Sequence, residues 1–77
     1  MRPLYEIARE IREDWKNVHY AAKPYLEAMD DLNGIHDRYG YESGKSVILY
    51  FLSNAGSWRG ETARRVKAEL KKMANVK

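Results

Sequence analysis

The 77-residue chain has no cysteine and only two prolines. Without cysteine there are neither disulfide staples nor thiolate metal sites, and two histidines, His19 and His36, make a poor metal site by themselves. Long apolar runs are missing as well. The longest, Val47-Ile48-Leu49-Tyr50-Phe51-Leu52, falls far short of the roughly 18–20 residues that a membrane span needs. Met1-Arg2-Pro3 leads straight into charged, periodic sequence with no apolar segment of a secretory signal, so a soluble, cytoplasmic protein is expected. Phenylalanine occurs once. Tyrosine occurs six times (Tyr5, Tyr20, Tyr25, Tyr39, Tyr41, Tyr50) beside Trp15 and Trp58, more amphipathic ring than so small a core buries completely.

What is present is charge, and it is unevenly divided. Residues 1–42 carry six Lys/Arg against nine Asp/Glu, whereas residues 43–77 carry eight Lys/Arg against only Glu61 and Glu69. A chain polarised in this way can offer a basic face to nucleic acid or to an acidic protein surface, its own neighbour's included. The length allows one domain, residues 1–77, and a core of this size leaves a monomer marginal, which makes self-association worth expecting.

The periodicity predicts an all-α bundle of three to four helices. Leu4, Ile7, Ala8, Ile11, Trp15 and Val18 fall on one stripe about 100° wide, and Pro3 suits a first helical position, so a helix is expected over about 3–16. Pro24 interrupts the spacing that continues through Tyr25, Leu26, Met29 and Leu32, which places a second helix at about 23–32. Asn33-Gly34 reads as a left-handed stop and residues 33–42 as the main connection. The run 47–52 fits buried helix or strand. With no second strand-like run to pair with it, a helix over about 43–54 is expected. Ser57 reads as the N-cap of a last helix, about 57–74, with Ala63, Val66, Leu70 and Met73 inward and a frayed tail beyond.

Motifs of chemistry are few. Gly40-Tyr41-Glu42-Ser43-Gly44-Lys45-Ser46 looks like a phosphate-binding loop, but it is one residue short of the required spacing and no hydrophobic strand leads into it. The glycines are better read as flanking a helix start. The histidines stand in no metal or nucleophile pattern, and Asp30, Asp31, Asp37 and Glu42 around His36 lack calcium-loop spacing. No catalytic, cofactor or metal residue is therefore assigned, and the chain is expected not to be an enzyme or to take a small-molecule substrate.

Two binding readings remain. Arg64, Arg65, Lys67, Lys71 and Lys72 make the last helix basic enough to contact phosphates. The pair 43–54 and 57–74 has the outline of a helix-turn-helix, although Arg65 falls where a recognition helix is normally buried. The other reading is a protein interface or homo-oligomer contact, with Tyr39, Tyr41 and Trp58 as the candidate anchors.

Met1-Arg2-Pro3-Leu4, Ile7-Ala8-Arg9-Glu10-Ile11, Pro24-Tyr25-Leu26-Glu27-Ala28-Met29, Leu49-Tyr50-Phe51-Leu52-Ser53-Asn54-Ala55 and Trp58-Arg59-Gly60-Glu61 together resemble short uncharacterised proteins encoded by actinobacterial phages. The resemblance spans most of the chain. It carries no assigned activity and transfers no residue roles, but it implies the cytoplasm of a bacterial host and a small accessory protein that binds a host protein or DNA.

The expected function is accordingly non-enzymatic protein binding or self-association, with nucleic-acid binding as the alternative. Any saturable signal from a fluorescent ATP analogue is expected to survive Lys45→Ala; loss of saturable binding in that variant would restore the phosphate-loop reading.

Overall fold

The computed structural model describes residues 2–75. Helix α1 (Leu4–Asp14) follows from the recurrence of Leu4, Ile7, Ala8 and Ile11, all buried. Pro3 lies one position earlier than the sequence suggested, at the N-cap in extended conformation. No side chain caps this helix. The N–H groups of Leu4 and Tyr5 instead donate to the carbonyl oxygens of Asn33 and Leu32, at 2.9 and 3.1 Å, so the first turn is satisfied by a distant part of the chain. At the other end Trp15 turns extended, two residues short of the expected limit, and its ring goes into the core.

Helix α2 (Lys23–Met29) has Pro24 in its first turn, where the missing N–H costs nothing. It is three residues shorter than expected because the bonds tighten: Asp30, Asp31 and Leu32 donate to the carbonyls of Glu27, Ala28 and Met29, an i to i−3 pattern that ends the α-helix. The left-handed stop at Asn33-Gly34 does not form. Among the described residues, positive φ is found only at Gly40, Gly60 and Asn75.

The expectation of an all-α chain needs correcting. The fold is mostly helical, but residues 38–43 form a two-stranded antiparallel hairpin, β1 (Arg38–Tyr39) and β2 (Glu42–Ser43), pairing Arg38 with Ser43 and Tyr39 with Glu42. Gly40 (φ 64°) and Tyr41 form the two-residue loop, with the single positive φ at the place a type II′ turn requires. Helical periodicity cannot report so short a ladder, because its signal lies in one glycine and not in an apolar pattern.

Helix α3 (Gly44–Ser53) follows at once. Its first three N–H groups are all taken: Gly44 donates to Asp37 O at 2.7 Å, Lys45 to Ile35 O at 3.2 Å, and Ser46 to the Ser43 hydroxyl at 3.2 Å. Val47, Ile48 and Phe51 are buried, but Leu49 and Tyr50 face outward, so the run 47–52 does not enter the core as a block.

Helix α4 (Glu61–Met73) starts four residues later than expected, and Ser57 does not cap it. Gly60, at φ 115°, holds the N-cap position instead, and the turn before it swings Trp58 inward. Ala63, Val66, Leu70 and Met73 are buried, and Asn75 in the left-handed region follows the last turn. The expected frayed tail lies, from residue 76 on, outside the described residues. The four helices enclose one cluster of buried apolar side chains, within a particle of radius of gyration 11.0 Å.

Gly44 is required by close approach. A Cβ there would sit nearer to Gly34 O than real Cβ atoms come to any neighbour, and 2.8 Å from Ile35 Cα, whereas a Cβ at Gly34 meets nothing within 4 Å. Gly44→Ala is expected to cost about 1–3 kcal/mol through overpacking, and Gly34→Ala less than about 0.5 kcal/mol. Urea melts of both variants check this, and equal midpoints would contradict the close contact.

Candidate functional site

The sequence singled out the hairpin tyrosines, Trp58 and the basic face of α4, and the structure treats them differently. Tyr41 is 99% exposed at the hairpin tip and Tyr39 46% exposed beside it. The short strands do not hold them there unaided, since an isolated hairpin is barely stable in water. The flanks do. Asp37 donates its N–H to Gly34 O and accepts from Gly44 through its own carbonyl, while its carboxylate accepts the Asn33 N–H at 2.8 Å. That last bond is the main reason the Asp37 carboxyl titrates below its ordinary value.

Trp58 is not a surface anchor. Only 2% exposed, it stacks on Trp15 with centroids 5.7 Å apart and planes 9° from parallel, while Phe51 meets both rings edge-on at 6.2 and 6.4 Å. The indole N–H donates to Asp14 Oδ2 at 2.8 Å, which satisfies the buried ring's one polar group. This trio ties the end of α1 to α3 and to the α3–α4 connection. The stack brings together residues 43 positions apart, and nothing local in the sequence records it.

The basic residues of α4 divide into two sets. Arg65 pairs with Glu10 of α1, and Arg2 reaches Glu69 of α4 through two hydrogen bonds of 2.6 and 3.1 Å. Arg2 also lies 2.8 Å from Glu10 Oε1, an ion contact outside hydrogen-bond alignment, and that buried oxygen has no hydrogen-bond partner among the described residues. Two opposite-charge pairs thus bridge the acidic and basic parts of the chain within one molecule. The hydrogen bond with Glu69 contributes most to raising the Arg2 pKa, and the one with Arg65 contributes most to holding the Glu10 carboxyl below its ordinary value.

Lys67 is likewise engaged. Its ammonium donates to Ala55 O at 2.7 Å and Trp58 O at 2.6 Å and sits 5.9 Å from the Trp58 ring centroid. It is a half-buried brace of the connection, not the freely extended cation the sequence suggested. Arg64, Lys71 and Lys72 remain exposed and make no ion pair among the described residues.

The phosphate-loop lookalike has no phosphate cradle. The N–H groups of residues 44–46 already donate to Asp37 O, Ile35 O and Ser43 Oγ, and these are the donors such a loop would aim at a phosphate. Among the described residues no group of three or more His, Cys, Asp or Glu side chains is placed to hold a metal ion, and no helix is long and apolar enough to cross a membrane.

One surface was missed in the sequence. α3 is apolar on both sides, and its outward side presents Leu49 and Tyr50, with Tyr50 stacked on Tyr25 of α2 at 5.3 Å. The signal was there. Six consecutive apolar residues are more than one face of a helix can bury.

Comparison with protein-family models, curated proteins and solved structures found no match.

Glu10 supplies a pH prediction. A carboxyl with a depressed folded pKa contributes stability above its ordinary value of 4.5, and that contribution is lost as pH falls through the lower folded value. Glu10→Gln is expected to lower the melting temperature by about 2–6 °C at pH 6, with the gap closing below pH 4. A gap independent of pH would show that the carboxylate's charge contributes nothing.

Proposed function

We propose that this chain is a small non-enzymatic binding protein that uses the 38–43 hairpin to engage a protein partner or a second copy of itself. The observation that carries the reading is Tyr41, a large ring almost fully in solvent on a loop whose flanking backbone is fixed by hydrogen bonds. Tyrosine supplies wide amphipathic contact at low conformational cost, and a pre-ordered loop lowers that cost further. Tyr39 on the same hairpin and the exposed Leu49 and Tyr50 of the following helix add apolar area. The resemblance to actinobacterial phage proteins supports a setting in the cytoplasm of a bacterial host, where a small accessory protein acts by occupying a partner's surface.

A second reading rests on a separate observation. Arg64, Lys71 and Lys72 are exposed and unpaired among the described residues, which suits contact with nucleic-acid phosphates. Binding of that kind weakens steeply with salt.

Light scattering behind size exclusion, at low and moderate salt and with or without a mixed-sequence DNA duplex, separates the two readings. The interface reading expects a discrete, salt-resistant oligomer, or a retained host protein, that ignores the duplex. Tyr39→Ser with Tyr41→Ser is expected to weaken the association at least tenfold while leaving the melting temperature within about 2 °C, since neither ring is in the core. An association unchanged by the double substitution contradicts the hairpin as the interface, and a monomer that joins the duplex only at low salt favours α4.

A further inference from the structure

Arg64, Lys67 and Lys71 recur at i, i+3 and i+7 and so share one stripe of α4, whereas Arg65 and Lys72 lie around the helix from it. Arg59 joins this stripe from the α3–α4 connection: it lines, with Arg64, Lys67, Trp58, Gly60 and Ala63, an open depression of about 300 Å³. None of the four cations takes part in an ion pair among the described residues. Glu61, one turn before Arg64, is the first carboxylate of α4 and does not pair with it.

Two of these charges, Arg59 and Lys71, act on Lys67. The Lys67 ammonium is held below its ordinary value, first by burial and then by repulsion from Lys71 and Arg59. Lys67 cannot swing away to relieve that repulsion, because Ala55 O and Trp58 O hold two of its three N–H donors. A cation fixed near like charges raises the energy of the free protein, and a compact anion seated among them lowers it.

We infer that Arg59, Arg64, Lys67 and Lys71 form a binding site for a phosphate group. Arg59 and Arg64 supply the forked donors that match a tetrahedral oxyanion, Lys67 supplies a fixed ammonium at the edge of the depression, and Lys71 adds charge along the stripe. The site rests on the second reading's cationic α4 but changes its membership: Arg64 and Lys71 stay, Lys72 drops out, and Arg59 and Lys67 join. The phosphate can belong to a nucleic-acid backbone or to a free phosphate compound, since the chemistry recognised is the same.

The test follows backbone amides and the two indole N–H signals by NMR as inorganic phosphate is titrated into the whole protein, then repeats it with a short DNA duplex at two salt concentrations. The variant is Arg59→Gln with Arg64→Gln, two exposed side chains outside the core. Saturable shifts of the Trp58 indole and of amides 59–64 with inorganic phosphate, abolished in the variant, establish the site with a free phosphate as ligand. The same shifts with duplex only, with the variant reducing the salt slope of binding by about 2, establish it with a nucleic-acid backbone as ligand. No response to either probe overturns the inference and the nucleic-acid reading together. Duplex binding that maps to Arg65 and Lys72 and is unaffected by the variant overturns the site alone.

Discussion

The backbone of residues 32–37 caps two helices at once, and the rest of the fold depends on that arrangement. Leu32 and Asn33 accept the first N–H groups of α1, while Ile35 and Asp37 accept those of α3. Unsatisfied helix starts at these positions would each carry a desolvation cost. The absence of a side chain at Gly44 lets the two backbones come close enough to bond. A stretch that looks like a connector therefore fixes where both helices begin. The hairpin that follows it, closed at its base by the Gly44 to Asp37 bond, is ordered as a consequence, and so are the tyrosines it presents.

The far side of the molecule is closed by side chains instead of backbone. Trp15, Phe51 and Trp58 bring three segments together, Asp14 accepts a hydrogen bond from the Trp58 indole, and Lys67 donates to the carbonyls of Ala55 and Trp58. Lys67 thus has two consequences. It donates to two carbonyls of the α3–α4 turn, and it pins one positive charge beside Arg59 and Lys71. Part of the chain's charge is matched internally, since Arg65 meets Glu10 and Arg2 meets Glu69 across α1 and α4. The exposed rings of the hairpin and α3 are a separate feature from this charge pairing.

The sequence made the helices legible wherever an apolar stripe repeated: Leu4 to Ile11 and Ala63 to Met73 are buried on schedule. It was least informative where backbone geometry decides. Gly40 and Gly60 set the hairpin and the late start of α4 through single positive φ values, and Gly44 matters for what it lacks. Composition alone does not distinguish these three roles. For the candidate sites, residue type marked Tyr41 and Arg64 correctly as exposed, yet it could not show that Trp58 would stack on Trp15 or that two of the Lys67 donors would be taken by carbonyls. Those outcomes depend on contacts between residues far apart in the chain.

Amide hydrogen exchange on the whole chain tests most directly whether the 32–37 segment is an integral support for the hairpin. The amides of Leu4, Tyr5, Gly44 and Lys45 donate across that segment, and the account predicts that they exchange as slowly as the interior of α1 and α4, through global unfolding alone. Fast exchange at these four amides while Ile11 and Val66 stay protected would show that the segment opens independently, and that the hairpin tyrosines are not held by the fold.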